Sequence, residues 1–550
     1  MKKFTFLVLV TTFQITLAQT PSWQWGRSAG YGGNESTSAV AIDASGNVFG
    51  TGGYTSSNIV FGATNLINPG VGTSDIFLVK YDASGNVLWA KTFGGASGEV
   101  GNAIATDASG NVYITGLFTS SVMTIGTVTL TNTSTTGSDV FVAKLDPSGN
   151  TIWAKSAGGT AGEKGNAITV DATGNVFVAG NFSSSIINFG AGAMANGGLQ
   201  DIFIVKYDQN GTALWSKNVG GPGDDAGNGI AIDVVGDVYV TGSFSSVAIN
   251  FGTGSLTNAS SGTQDLYVVK YTSAGTAVWS ARSGGSMDDP GTGIAVSKNN
   301  VYVTGAFNSA TIVFGTTTLT NSSAGTSDFL LAKYDLGGNP GWAKRAGGSD
   351  YDGGNAVACD SLGNVYVTGY FVSSSLNFGA NMVNNSTFGT KDLFVVAYNG
   401  TGVDLWGIAA GGSATETGNG MAVSLGGTDI IMGGSFDSPS LTFGPSTVFK
   451  GCGEDVLVAK LVGGAVGIQE NTLADKLKAY PNPASGKFTI EAEGKVVFYN
   501  ALGEEVHNYK QNTIKKGKTE FDLSALESGV YLYRIISDKK TVSTGKVIVQ

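Results

Sequence analysis

The sequence predicts an all-β protein whose bulk is a ring of small sheets, and two observations carry that prediction. The first is an internal repeat of seven units, marked by tryptophans that recur every 62 to 64 residues. The second is the pattern inside each unit, where four strand-like segments are separated by glycine turns. A sheet of four strands buries both faces only when neighbouring copies pack against it, so the prediction is a seven-bladed β-propeller. The tryptophans are Trp25, Trp89, Trp153, Trp215, Trp279, Trp342 and Trp406.

The unit that follows Trp153 shows the elements in order. A Gly-Gly loop leads into two apolar segments, Gly165–Asp171 and Asn175–Gly180, and a third segment follows at Asp201–Tyr207. The turn Asp171–Asn175 places glycine where a tight hairpin needs positive φ. The third segment is nearly all apolar, which is typical of a strand covered on both faces. Each unit therefore supplies one four-stranded blade.

The ends of the repeat array predict how the ring closes. The last unit stops at Asp455–Leu461 without a tryptophan strand of its own, whereas an unpaired strand, Trp23–Arg27, precedes the first unit. An open ring would expose unpaired strand edges. We therefore expect the strand of Trp25 to complete blade seven and close the propeller, which spans residues 19–462.

The first eighteen residues have the organisation of a secretory signal peptide. Lys2 and Lys3 precede the apolar run Phe4–Val10, and Thr16–Ala18 has the small-residue pattern of a cleavage site. No later segment approaches the ~20 apolar residues that a membrane helix needs. The sequence thus predicts a signal peptide at 1–18, export, and no membrane span.

The net charge restricts the classes of partner that the chain is expected to bind, and the cysteine content bears on a disulfide. The formal net charge is −10, and losing the two signal lysines takes it to about −12. An acidic chain of this kind is not expected to bind nucleic acid or anionic membranes. Cys359 and Cys452 are the two cysteines, and the sequence leaves open whether they pair.

The repeat also carries a family resemblance. Its segments Asn-Val-Tyr-Val-Thr-Gly and Leu-Trp-Ala-Lys resemble the seven-bladed β-propeller repeats of secreted bacterial proteins, over residues 25–462. That resemblance implies a fold but no common catalytic site.

A second domain is predicted at residues 476–550, after a linker at 463–475, because lysine becomes common there and the glycine-rich repeat stops. Its segments Tyr480–Gly486, Asp522–Ile535 and Gly545–Gln550 resemble, in that order, the type IX secretion C-terminal sorting domain. The resemblance implies an immunoglobulin-like β-sandwich, the type IX secretion machinery as a partner, and a destination at the cell surface or outside the cell.

The propeller lacks the residues of several common chemistries. The single histidine, His507, falls in the C-terminal domain. A His-based triad, a His general base or a His metal cluster is therefore excluded between Trp25 and Leu461. No segment there has the spacing of a zinc helix or a phosphate loop.

One set of acids recurs in all seven units, and we call it the acidic ring. Each acid follows the Gly-Gly loop and opens the innermost strand of a blade, so the set is expected around one mouth of the central channel. Neighbouring carboxylates repel, which favours bound calcium or partner cations. The alternatives are ion pairs with basic residues near the tryptophans, such as Arg27, Lys91 and Arg282, or capping of turns through backbone amides. The acidic ring comprises Glu35, Glu99, Glu163, Asp225, Asp289, Asp352 and Glu416.

A second recurring acid opens each third strand, where a turn-capping role is expected. These residues are Asp75, Asp139, Asp201, Asp265, Asp328, Asp392 and Asp455.

Three functions from different classes remain open. The first is a non-catalytic module that binds glycan or protein through polar, variable loops such as 188–200 and 383–391. The second is a polysaccharide-acting enzyme that uses paired acids, for example Asp224 with Asp225 or Asp350 with Asp352. The third is a structural protein of the envelope. The sequence favours the binding module, because the near-identical units offer no singular catalytic site.

Overall fold

The computed structural model describes residues 21–463, apart from 71 and 135, and residues 478–549, apart from 481–483, 485–486, 500–505, 507–512, 525, 527–528 and 538–539. Residue contacts divide the chain into two compact units, Met1–Ala465 and Val466–Gln550. The predicted signal peptide, His507 and all but the first residue of the predicted linker lie outside the described residues.

The first unit is a seven-bladed β-propeller, as predicted, and each blade is an antiparallel sheet in the order inner, second, third and outer strand. The inner strands are Glu35–Ile42, Glu99–Thr106, Glu163–Val170, Asp225–Ile232, Gly291–Ser297, Asp352–Cys359 and Glu416–Val423. The second strands are Val48–Tyr54, Val112–Phe118, Val176–Phe182, Val238–Phe244, Asn300–Phe307, Val365–Phe371 and Asp429–Phe436. The third strands are Asp75–Tyr81, Asp139–Leu145, Asp201–Tyr207, Asp265–Tyr271, Asp328–Asp335, Asp392–Tyr398 and Asp455–Val462. The outer strands of blades one to six are Val87–Phe93, Thr151–Ala157, Ala213–Val219, Ala277–Ser283, Pro340–Ala346 and Asp404–Ala410.

The N-terminal strand closes the ring. Ser22–Ala29 pairs antiparallel with Asp455–Val462 and is the outer strand of blade seven. Trp25 is 4% exposed within this pairing. The prediction from the unpaired first strand is therefore confirmed.

The core lies between blades. In five of the seven third strands every residue is buried, as the continuous apolar pattern predicted. Side chains on one face meet the preceding blade and those on the other face meet the following blade; Phe141 of blade two, for example, shares a cluster with Leu78 of blade one. Such burial on both faces contributes roughly 1.5–3 kcal/mol for each large apolar side chain.

Each tryptophan docks its blade onto the next one. The Trp89 indole and the Lys80 ammonium both donate to the carbonyl oxygen of Pro147, each at 3.2 Å, in the turn between the third and outer strands of blade two. Gly149 of that turn has φ +80, and a Cβ there would lie 3.3 Å from the Trp89 ring. The same pair of donors is repeated by Trp25 and Lys460 on Ala83. The tryptophan is thus a docking residue between blades.

One junction departs from this rule, and ring closure explains it. Blade six carries Ala397 at the lysine position, and the indole nitrogen of Trp406 is buried without a hydrogen-bond partner among the described residues. Blade seven, onto which this tryptophan faces, takes its outer strand from the N-terminus. It therefore lacks the turn whose carbonyl would accept both donors.

Each blade also has a two-stranded hairpin between its second and third strands, which the sequence did not predict. In blade two its inward residues Met123 and Ile125 are fully buried and pack with the blade core. The predicted loops 188–200 and 383–391 include hairpin strands, because an alternation of three or four residues is too short to recognise. The hairpins are Asn58–Phe61 with Thr64–Ile67, Val122–Ile125 with Val128–Thr131, Ile186–Asn188 with Ala193–Ala195, Ala248–Asn250 with Ser255–Thr257, Thr311–Phe314 with Thr317–Thr320, Ser375–Asn377 with Met382–Asn384, and Ser440–Phe443 with Ser446–Phe449.

The second unit has five strands in one antiparallel sheet. Phe488, Phe498 and Tyr533 lie in its core, with the Phe488 and Tyr533 ring centroids 5.5 Å apart. The described strands form a single sheet, so the immunoglobulin-like sandwich stays a prediction. They are Lys478–Tyr480, Lys487–Tyr499, Thr513–Asp522, Gly529–Ser537 and Lys540–Val549.

Within the described parts of both units, the structure contains no helix that is long and apolar enough to cross a membrane.

Candidate functional site

The propeller has two chemically different ends. The turn face carries the connections from inner to second strand and from third to outer strand. The loop face carries the connections from second to third strand, with their hairpins, and those from each outer strand to the next inner strand. Loops on a rigid scaffold are where binding groups concentrate, so the loop face is the first candidate.

The turn face uses its polar groups internally. In the turn after the inner strand of blade two, Asp107 Oδ1 accepts hydrogen bonds from the amides of Ser109 and Asn111, both at 2.9 Å. Oδ2 accepts from the Asn111 side chain at 2.8 Å. These bonds lower the pKa of Asp107 despite its partial burial, which acts in the opposite direction. The aspartates of these turns are therefore hairpin caps.

The acidic ring lies on the loop face, where the sequence placed it, but its carboxylates point into the loops. All seven side chains are at most 1% exposed. Glu99 Oε2 accepts from the Gly95 amide at 2.9 Å, and Oε1 accepts from the Ser120 amide at 3.0 Å. Asp225 has the same contacts with Gly221 and Ser246. This geometry is the capping alternative, and in six of the seven blades the acid ties the Gly-Gly loop to the end of the second strand.

Sequence reasoning missed the serine that completes each of these caps. In blade four the Ser246 hydroxyl donates to Asp225 Oδ2 at 2.6 Å. The signal was present, since a serine stands two residues after the aromatic residue that ends every second strand. These serines are Ser56, Ser120, Ser184, Ser246, Ser309, Ser373 and Ser438, and all are at most 4% exposed.

Burial leaves the ring acids weakly acidic. It raises the pKa of every ring carboxyl, and that of Asp352 to about 7, against the lowering effect of the serine and glycine donors. The third-strand aspartate of the preceding blade adds to this effect through charge repulsion at Glu35, Glu163, Asp352 and Glu416. A carboxyl pair in this environment favours the protonated form.

Six of the seven aspartates that open the third strands accept a hydrogen bond from a loop amide, as expected of turn caps. Asp265 Oδ2 accepts from the Ala259 amide at 2.7 Å and forms an ion pair with Arg282 at 3.1 Å. Arg282 thus pairs with this second set and not with the acidic ring, and the described ion pairs include no ring acid. In six of these aspartates Oδ1 is buried without a hydrogen-bond partner in the described structure; they are Asp75, Asp201, Asp265, Asp328, Asp392 and Asp455.

Calcium binding by the acidic ring stays a prediction, and the contacts favour the capping role. Among the described residues no three Asp, Glu, His or Cys side chains come close enough together to hold a metal ion. We expect millimolar calcium to leave the thermal unfolding of the secreted protein unchanged relative to chelator, since the oxygens of six of the seven ring acids already accept hydrogen bonds from their loops. A calcium-dependent rise in unfolding temperature that Glu99→Gln abolishes would instead establish a metal site.

The carboxylate pairs considered for an enzyme do not offer two accessible acids. Asp224 is exposed, but its neighbour Asp225 is fully buried and hydrogen-bonded. Asp352 is likewise buried beside the partly exposed Asp350. Glycoside hydrolysis needs both carboxyl groups to reach the sugar, so these pairs do not support it.

The two cysteines are free and lie at opposite ends of the propeller. Cys359 ends an inner strand at the turn face, whereas Cys452 lies in a loop-face connection of blade seven. A disulfide requires Cα atoms within about 7 Å, so this pair does not form one.

The central channel has a polar ring that the sequence analysis did not single out. A cavity of about 200 Å³ is lined by one polar residue from each inner strand, at a β-bulge in all seven. Asn102 donates to the Gly165 carbonyl of the next inner strand at 2.9 Å, and Asn228 donates to Gly291 in the same way. These amides link neighbouring blades, so the ring helps to hold the channel together. Its members are Ser38, Asn102, Asn166, Asn228, Thr292, Asn355 and Asn419.

Blade six breaks the sevenfold symmetry at its loop-face end. Tyr351 is 48% exposed and Phe388 is 73% exposed. Tyr370, which lies between them in the sequence, is half-buried. The residues that correspond to Tyr370 in the other blades are Gly53, Leu117, Asn181, Ser243, Ala306 and Ser435. Those that correspond to Tyr351 are Asn34, Gly98, Gly162, Asp224, Asp288 and Thr415. At the Tyr370 and Tyr351 positions the other blades thus carry no aromatic residue.

By fold and loop chemistry the first unit is a β-propeller that presents a varied loop face on a uniform scaffold. Residues 214–243 and 341–370 match the family model described as Beta-propeller repeat, and residues 478–550 match the model described as Secretion system C-terminal sorting domain. The chain is therefore a β-propeller repeat protein with a type IX secretion sorting domain, exported to the cell surface or the extracellular space.

Two curated relatives match more than half of this chain. The chain is 26% identical over 413 residues to the Uncharacterized WD repeat-containing protein L264 of Acanthamoeba polyphaga mimivirus, covering 62% of this chain and 30% of the relative. It is 26% identical over 462 residues to the Regulatory protein FlaEY of Caulobacter vibrioides, covering 77% of this chain and 46% of the relative. The chain thus spans less than half the length of either protein.

Solved propellers are more distant. The RRP9 WD40 repeats are 9% identical with a TM-score of 0.43, covering 81% of this chain and 99% of that one. The Pan2 WD40 domain of Neurospora crassa is 10% identical with a TM-score of 0.39, covering 80% and 91%. We draw no functional conclusion from these similarities.

Proposed function

We propose that this exported propeller is a non-catalytic binding module for glycan or protein, and that its ligand contacts the loop face. The proposal rests on a contrast between two sets of loop-face residues. The acids and serines that recur in all seven units are buried and hydrogen-bonded within the loops, whereas two aromatic side chains of blade six are exposed. Tyr351 has no aromatic counterpart in the other blades, and both Tyr351 and Phe388 are exposed to solvent. Exposed aromatic residues on a rigid scaffold are typical of binding surfaces.

The test is binding by the secreted full chain to arrays of glycans and of purified envelope proteins. We expect saturable binding to at least one probe, and a loss of at least about tenfold in affinity in the double variant Tyr351→Ala, Phe388→Ala, because contacts of this kind are worth more than ~1 kcal/mol each. Phe449→Ala is the matched control, since Phe449 is 70% exposed but lies on an outer hairpin of blade seven. Absence of binding to either array would favour a structural role in the envelope.

A further inference from the structure

The ring of Tyr370 packs into a space that a glycine leaves open in blade six. It pairs with Gly353 across the inner and second strands, and a Cβ at Gly353 would lie 3.2 Å from the ring and hydroxyl of Tyr370. At the Gly353 position the other blades have a side chain, namely Ser36, Val100, Lys164, Ala226, Pro290 and Thr417. The glycine therefore accompanies the tyrosine, and the ring lies against the backbone.

The other side of this ring is held by a cation. Lys391 Nζ lies 4.4 Å from the Tyr370 ring centroid, within the range of a cation–π contact. The residues at the Lys391 position in the other blades are Ser74, Ser138, Gln200, Gln264, Ser327 and Glu454. Glycine, tyrosine and lysine thus form one local arrangement that the remaining blades do not have.

The two exposed rings lie on the connections that flank this arrangement. The Tyr351 carbonyl accepts from the Val372 amide at 3.0 Å, which places Tyr351 beside the end of the strand that carries Tyr370. Phe388 lies in the turn closed by the bond from Thr390 to Thr387, directly before Lys391. Three aromatic rings therefore occupy the loop-face end of a single blade.

The charges at this end indicate the class of ligand. The Lys391 ammonium is engaged by the Tyr370 ring, and Asp350 Oδ1 accepts from the Tyr351 amide at 2.9 Å. The exposed polar residues beside Phe388 are the neutral Ser386 and Thr387. A net charge of −10 disfavours an acidic polymer at long range. A peptide that adds a strand needs a free sheet edge, which strand ends do not provide.

From this geometry we propose that the loop-face end of blade six is a subsite for a neutral polysaccharide, with the exposed rings of Tyr351 and Phe388 contacting the apolar faces of its sugar rings. The free edge of the half-buried Tyr370 completes the aromatic surface, and neighbouring hydroxyls bond the edges of the sugars. This inference deepens the proposed function and rests on it. Lys391 and Gly353 are positioning residues, because they hold the Tyr370 ring in place.

The experiment measures retention of the secreted full chain on immobilised neutral polysaccharides, namely a β-glucan, a mannan and a xylan, and on the acidic polymers alginate and polygalacturonate. We expect retention on at least one neutral polymer, little change at high salt, and at least about tenfold weaker binding in Tyr351→Ala and in Phe388→Ala. Phe449→Ala is expected to bind like the parent. Gly353→Ala should weaken binding through displacement of Tyr370, and its unfolding temperature shows whether the blade is intact.

The outcomes separate this inference from the broader proposal. Retention only on acidic polymers, or retention on neutral polymers that the blade-six variants leave unchanged, overturns the neutral-glycan subsite. Binding of a protein probe that Phe388→Ala weakens, without binding of any glycan, also overturns the subsite but upholds a binding module on the loop face. If no probe binds the chain, both ideas fail.

Discussion

A chain that begins at residue 30, and so lacks the strand Ser22–Ala29, is expected to lose cooperative folding of the propeller. Removing this strand exposes the edge of Asp455–Val462 along seven paired residues and takes away the docking of Trp25 on Ala83 and Gly85. An unpaired edge on this largely apolar third strand is a template for association with other chains. We expect soluble aggregates in size-exclusion chromatography and no single sharp unfolding transition.

Trp25→Ala isolates the docking contribution from strand pairing. Truncation of a buried tryptophan typically costs about 3–5 kcal/mol, so the unfolding free energy in urea should fall by that amount while the chain stays monomeric. Trp89→Ala is the matched control, because Trp89 makes the same contact at an interior junction. If the chain that begins at residue 30 unfolded like its parent, the N-terminal strand would not be what closes the ring.

A circular permutant provides a positive control for closure. It carries Ser22–Ala29 after Val462, joined by a turn with the sequence of Asp82–Asn86. The permutant should recover the monomeric state and the parent's stability, because the strand pairing is restored. It should also gain a turn carbonyl for Trp406, whose indole has no partner among the described residues. A permutant that still aggregates would show that the N-terminal origin of the strand matters as well as its presence.

The second large effect is on pH dependence: the propeller should become less stable as the pH rises from 5 to 8. Burial raises the pKa of Asp75 and of Asp352 to about 7, and it raises the pKa of the other acids of both loop-face sets. The folded chain then binds more protons than the unfolded chain between about pH 4 and 7, so stability falls as the pH increases through that window. Each group with a pKa near 7 contributes a loss of about 2 kcal/mol.

The turn-face aspartates act with the opposite sign at lower pH. Hydrogen bonds from asparagine lower the pKa of Asp82 and of Asp146, so their contribution is present above the unfolded pKa and is lost on acidification. The combination predicts a stability maximum at about pH 4–5. Urea unfolding at a series of pH values measures it.

Two variants of blade one test which carboxyl groups cause the decline in stability with pH. Asp75→Asn removes one buried carboxyl and should flatten the decline between pH 5 and 8, whereas Asp82→Asn changes an exposed turn acid of the same blade and should leave it as it was. Stability that is constant or increases from pH 5 to 8 would contradict the assignment of neutral, buried carboxyl pairs to the loop face.

The sequence by itself determined the number of blades, the four strands of each and the ring closure. These follow from local signals: regularly spaced tryptophans, glycine turns and continuous apolar third strands, with Trp25 left unpaired at one end of the array. Such features depend on periodicity and backbone preference. These are local properties of the sequence and can be recognised without knowing which segments pack together. The sequence also identified the acidic ring as one carboxylate that recurs in all seven units.

Only the tertiary structure decided what those acids do. Whether Glu99 faces the channel or its own loop depends on the Gly95 and Ser120 amides, which lie in two different loops. The same holds for blade six, where Gly353 makes room for Tyr370 only through cross-strand pairing. Side-chain direction and burial arise from contacts between segments far apart in the chain, and so the proposed binding end of blade six became apparent only in the folded ring.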